Sequence, residues 1–317
     1  MAANWMRRTV MVAACASAAL LAACGSSTTE SAITPQRFIA FGDAMSDVGQ
    51  NGSRYTVNDG SVNNWTLQVV ANYGKTLTPA SAGGTSYATG NARVSTKPDA
   101  AGNASTRTIT EQIDTFLASG RFANSDVVIV SGGVSDVIAG MAAVTAGAQT
   151  EAAMVAAARK AGEDLAAQVR RLVAAGAKYV VVTGTYDLSK SPWAKSIGRE
   201  ALLTDASSRF NDGLLVGIVD LGANVLYVDS AYYVNLYTSV PGNYGFNNAT
   251  TAVCTSVDAT NGIGIGAGKV NSALCNSSTL LSGANQASYV FADSVYLTPS
   301  AQRQFGTYAY DRLRARW

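Results

Sequence analysis

The chain has 317 residues, with 23 lysines and arginines against 21 aspartates and glutamates, and it contains no histidine. A nearly neutral chain without basic clusters offers no nucleic-acid footprint, and the missing imidazole excludes every mechanism built on a histidine base. Its length suits one large α/β domain preceded by a leader.

Arg7 and Arg8 make a basic start, residues 10–23 form a largely apolar run, and Leu21-Ala22-Ala23-Cys24-Gly25 looks like a bacterial lipobox. At 14 residues the run is too short for a membrane-spanning helix, which takes about 20. The resemblance implies a signal peptide over residues 1–23, cleavage before Cys24 and lipidation of its thiol; an ordinary signal peptide with an incidental cysteine is the alternative. Gly25, in place of an aspartate, points by the sorting pattern of such lipoproteins to the outer membrane. Residues 24–35, rich in serine and threonine and without apolar periodicity, read as a tether. Only Cys254 and Cys275 then remain in the domain at 36–317, and outside the cytoplasm such a pair is expected to form a disulfide, two free buried thiols being the alternative.

Along the domain, Phe38 to Phe41 are apolar and run into Gly42-Asp43, which predicts a short buried strand ending in a sharp turn. In an open α/β sheet the loops beyond the carboxyl ends of strands collect ligands and catalytic groups, so residues 43–47 stand where chemistry is expected. Trp65, Val69, Val70 and Tyr73 recur at helical spacing over 63–73. Past the glycine-rich stretch 83–93, a short helix is predicted over 109–117 and a buried strand over 126–131, which runs into Gly132-Gly133-Val134-Ser135-Asp136. A long alanine-rich helix over 151–175 is closed by Gly176. A strand over 178–183, a helix over 198–221, a strand over 224–229 and a short helix over 231–237 follow. Strands alternating with helices argue for a parallel sheet covered on both faces. Residues 238–288 form a long Gly- and Asn-rich stretch with the cysteine pair, read as an insertion that either walls a pocket with its tyrosines and Phe246 or is a stapled surface excursion. Pro299 opens a last helix with Thr298 as its N-cap.

Four stretches together resemble the sequence blocks of the GDSL, or SGNH, hydrolases. Phe41-Gly42-Asp43-Ala44-Met45-Ser46-Asp47 is similar to F-G-D-S-x-S-D, residues 83–93 to G-G-x-N-Y-A-x-G-G-A-R, Gly133-Val134-Ser135-Asp136 to G-x-N-D, and residues 289–299 to Y-x-F-x-D-x-x-H-P-T. The resemblance implies a three-layer α/β/α sandwich around a parallel, flavodoxin-like five-stranded sheet. It also implies roles. The nucleophilic serine falls on Ala44, the oxyanion-hole glycine on Gly90 with Asn91 replacing the glycine beside it, and the oxyanion-hole asparagine on Ser135. The aspartate that orients the histidine falls on Asp293, and the histidine itself on Tyr296, a phenol that is a poor general base at neutral pH. Asp43, Ser46, Asp47 and Asp136 neighbour this cleft, and Ser46 matches a second serine whose expected role is to brace the loop.

With three of the four residue types that name the SGNH group replaced, the expectation is a cell-envelope, lipid-anchored pseudoenzyme of the esterase/lipase family, needing no cofactor or metal. Its old ester-binding cleft would serve binding or assembly with an acylated glycan, a lipid or an envelope protein. The alternative is an active carboxylic-ester hydrolase of non-standard mechanism, for which Asp43, Ser46 and Asp293 are the only local candidates. A further reading makes the disulfide loop the interaction site.

Overall fold

The computed structural model describes residues 33–317. The expected signal peptide, Cys24 and most of the tether lie outside the described residues. In chain order the elements are β1 (Arg37–Phe41), α1 (Trp65–Asn72), α2 (Ile109–Ser119), β2 (Asp126–Ser131), α3 (Val134–Thr145), α4 (Glu151–Ala174), β3 (Tyr179–Thr183), α5 (Pro192–Ile197), α6 (Glu200–Ile218), β4 (Val225–Tyr227), α7 (Ser230–Ser239), β5 (Asn248–Ala252), β6 (Val257–Asp258), β7 (Lys269–Val270), β8 (Tyr289–Phe291) and α8 (Pro299–Arg316). Among the described residues no helix is long and apolar enough to cross a membrane.

Strands β1 to β4 form one parallel sheet in sequential order. Their two-residue side-chain period divides the core. Ile39, Phe41, Val128, Val130, Val180 and Val182 pack with the buried faces of α2, α3, α4 and α6. Phe38, Ala40, Val127, Ile129 and Val181 pack with Trp65, Val69 and Val70 of α1 and Phe305, Ala309 and Leu313 of α8. The sheet is thus covered on both faces, which is why its strands read as unbroken apolar runs. Caps set the helix starts: Thr108 and Glu111 form a capping box at α2, Thr150 caps α4, and Thr298 caps α8 with Pro299 in its first turn.

The sheet has four strands, not the five expected. At the fifth position, beyond β1, there is a single parallel bridge between Ala40 and Ser86, with the Thr85 carbonyl accepting from Ala40 N–H at 3.0 Å and the Ala40 carbonyl accepting from Tyr87 N–H at 2.7 Å. Gly83-Gly84-Thr85-Ser86 supplies no apolar side chain to bury and two residues that weaken a strand, so pairing stops after one residue. Helix α3 carries no side-chain cap, since Gly133 precedes it; the start signal that a Ser, Thr, Asp or Asn would give is absent, and no helix was expected there.

The insertion is stapled and also packed. Cys254 and Cys275 form a disulfide, and closing such a loop contributes on the order of 3 kcal/mol. Both cysteines join Val57, Val253 and Ala292 in a small core of their own. Strand β5 pairs with β8, and β6 with β7 makes a short hairpin. Phe246 and Ile263 are buried in the main core, so the excursion is anchored to the domain at both ends and in its middle.

Candidate active site

The turn after β1 is built by close approach. A Cβ on Gly42 would stand 2.4 Å from Ser131 Oγ and 2.9 Å from the Ser131 carbonyl at the end of β2, so only glycine fits there. Gln112 of α2 clasps the same residue, its Oε1 accepting from Gly42 N–H and its Nε2 donating to the Gly42 carbonyl, both at 2.9 Å. The chain then brings Asp43, Ala44, Met45 and Ser46 into the interior at the carboxyl end of the sheet, all of them buried.

Ala44 carries a methyl group at the position to which the resemblance assigns a nucleophilic oxygen. Ser46 is no substitute in this arrangement: its Oγ shares a hydrogen bond with Ser131 Oγ at 2.7 Å and accepts from Trp65 Nε1 at 3.1 Å. Its hydroxyl therefore braces the loop against β2 and α1, with no base beside it. Asp47 ties the same loop to the next one: Oδ1 accepts from the Gly49 and Gln50 amides at 2.8 and 2.7 Å, and Oδ2 accepts from Gly90 N–H at 2.8 Å.

That last bond bears on the expected chemistry, because the block resemblance assigns an oxyanion-hole donor to Gly90 N–H. It is spent on Asp47. The open face of Gly90 is also taken, since a Cβ there would lie 2.0 Å from Tyr55 Oη. Asn91 follows with φ of 61°, a left-handed conformation that asparagine tolerates better than most residues. Its Nδ2 donates to the Gly262 carbonyl at 2.8 Å, fastening the insertion across the site.

Ser135 lies in the first turn of α3, fully buried, and its Oγ has no hydrogen-bond partner among the described residues. Asp136 points away from it: Oδ2 accepts from Val94 N–H at 3.1 Å and Oδ1 faces Arg93 Nε at 3.5 Å. Asp293 is fully committed. Oδ1 accepts from the Val295 and Tyr296 amides, each at 2.7 Å, and Oδ2 accepts from Ser272 N–H of the insertion at 3.0 Å. Tyr296 is fully buried with its ring edge-on to Tyr55, centroids 5.3 Å apart, and its hydroxyl unpartnered among the described residues. Burial first, and the Asp43 charge second, hold its phenol well above the ordinary tyrosine range. It stays protonated and does not act as a base.

The structure therefore brings Gly90, Asp293 and Tyr296 together at Tyr55, which packs on Gly90 and meets the Tyr296 ring edge-on, while Asp293 accepts from the Tyr296 amide. Sequence reasoning missed Tyr55 and Ser272. Tyr55 stands in a turn-rich stretch with no periodicity, and Ser272 contributes only its backbone, so neither carries a signal. Among the described residues no group of three or more acidic, cysteine or histidine side chains is placed to hold a metal.

Burial pushes Asp43 up to about 7, against the pull of the Met45, Ser135 and Val134 amides. Asp136 is pushed up to about 6 by burial, opposed by Arg93. A carboxyl raised this way binds its proton more tightly folded than unfolded. Its stabilisation is complete below the ordinary carboxylate range and is lost as pH rises through about 7. Denaturant unfolding should therefore show stability falling on the order of 2 kcal/mol between roughly pH 5 and roughly pH 8, with Asp43→Asn removing most of that fall. A wild-type profile that is level or rising over this interval would contradict the assignment.

The match to a family model agrees with this architecture. A family model described as GDSL-like Lipase/Acylhydrolase matches residues 38–308. Among solved structures 24 chains match; one of them is 15% identical, covers 63% of this chain and 84% of its own, and superposes with a TM-score of 0.38. No curated protein matches. With its blocks at the strand ends and the family match running from β1 into the last helix, the chain belongs to the GDSL-like lipase/acylhydrolase family.

Proposed function

We propose that this family member is a pseudoenzyme: an envelope protein, lipid-anchored through Cys24 and facing the periplasm or surface from the outer membrane, that has lost ester hydrolysis and serves as a binding or assembly scaffold. The observation that carries the reading is chemical. At the three positions that need a hydroxyl nucleophile, an amide donor and an imidazole base stand Ala44, Ser135 and a buried phenol, and no histidine exists elsewhere to replace the last. Its ligand or partner is an acylated glycan, a lipid or an envelope protein. The anchor is supported by the Leu21–Gly25 lipobox pattern alone.

Purified protein on p-nitrophenyl esters of several acyl lengths should show no turnover above background, and fluorophosphonate should label no serine. Turnover that disappears in Ser46→Ala, with peptide mapping placing the label on Ser46, would establish the rival reading of an active esterase.

A further inference from the structure

A cavity of about 550 Å³ opens between the 80–84 stretch, the 103–107 stretch and α2. Ala44, Gly90, Ser135, Asp293 and Tyr296 do not line it. Its chemistry differs from an acyl-chain pocket. Among the described residues the one charged side chain on its wall is Arg107, which makes no hydrogen bond or ion pair, and no carboxylate lines the wall. The nearby acids are occupied elsewhere: Asp99 accepts from the Ala101 and Asn103 amides and from Thr106, and Glu111 holds Lys97 and the Thr108 amide.

The neutral groups are sorted by hydrogen-bonding role. The hydroxyls of Ser81, Thr106 and Thr115 spend their protons on the Gln50 carbonyl, Asp99 and the Glu111 carbonyl, at 2.7, 2.6 and 2.7 Å, and present bare oxygens as acceptors. The Asn103 side-chain oxygen takes the Ser105 amide and hydroxyl, at 2.9 and 2.8 Å, which leaves its NH₂ as a donor. Tyr87 adds an aromatic wall that is held still, stacked on Phe41 with centroids 5.5 Å apart and edge-on to Phe116 at 6.0 Å.

A ligand complementary to this wall carries many hydroxyls, which both donate and accept, an apolar C–H surface, and one negative charge. We infer that the cavity binds an acidic sugar, a uronic-acid unit of a glycan, with its carboxylate on Arg107. A guanidinium free of competing partners suits a carboxylate bidentately. The inference does not depend on whether the old ester site is silent.

Calorimetric or NMR titration of the purified protein with tri-galacturonate and with neutral galactotriose tests it. The acidic trisaccharide should bind at least tenfold more tightly than the neutral one, with the preference shrinking at high salt. Arg107→Gln should abolish that preference, and Arg107→Lys should keep part of it. Arg107 is exposed, so both variants should fold. Equal binding of the two sugars, an Arg107→Gln variant that retains the preference, or no binding of either up to about 10 mM would overturn the assignment.

Discussion

Returning the missing residue types together, as Ala44→Ser, Ser135→Asn and Tyr296→His, yields no ester hydrolysis above background. Nucleophile and base act as a unit worth about 10⁶ in turnover, and the triple substitution supplies both in name. It does not supply their surroundings. Gly90 N–H remains bound to Asp47 Oδ2, and Tyr55 still packs on the face of Gly90 where an oxyanion would sit. Both oxygens of Asp293 remain engaged by three backbone amides, leaving it poorly placed to orient an imidazole. Adding Tyr55→Ala to the triple variant opens the centre and should give the first detectable turnover. Steady-state assays on p-nitrophenyl esters, with circular dichroism to confirm folding, check both steps. A triple variant that alone hydrolyses esters at least about 10³-fold above background would show that the site was never remodelled.

Asp293→Ala costs roughly 3 to 5 kcal/mol of stability. In a working hydrolase of this kind the aspartate serves the histidine, and its loss is felt mainly in turnover. Here it is the node where the insertion, through Ser272, meets the turn before α8, through Val295 and Tyr296. Alanine leaves three buried N–H groups without acceptors, each costing about 1 to 3 kcal/mol if water cannot enter. Asp293→Asn should cost less, because one oxygen still serves the Val295 and Tyr296 amides while an NH₂ opposes the Ser272 amide. Denaturant midpoints for the two variants, with limited proteolysis across the insertion, read this directly. An alanine variant within about 1 kcal/mol of wild type would remove the structural role.

Much of the scaffold was legible from residues alone. Phe38 to Phe41, Asp126 to Ser131 and Tyr179 to Thr183 are apolar runs because both faces of the sheet are covered, and the cap at Thr298 and the alanine-rich run closed by Gly176 mark helices by local chemistry. Helix α3 escaped because its start lacks a capping side chain, and the fifth strand was overcounted because the Ser86 segment fails by what it lacks.

The sequence by itself determined the family and the absence of an imidazole base, because block residues and composition are properties of the chain irrespective of its path. It also determined that position 44 bears a methyl group. Tertiary structure alone decided what surrounds Gly90, Asn91 and Asp293. Tyr55 comes from a turn without pattern, Ser272 and Gly262 act through backbone atoms, and the Gly90 amide has its partner chosen by distance. Backbone donors look alike in every sequence, and a side chain's reach across 171 residues of chain, as from Asn91 to Gly262, is set only when the core closes.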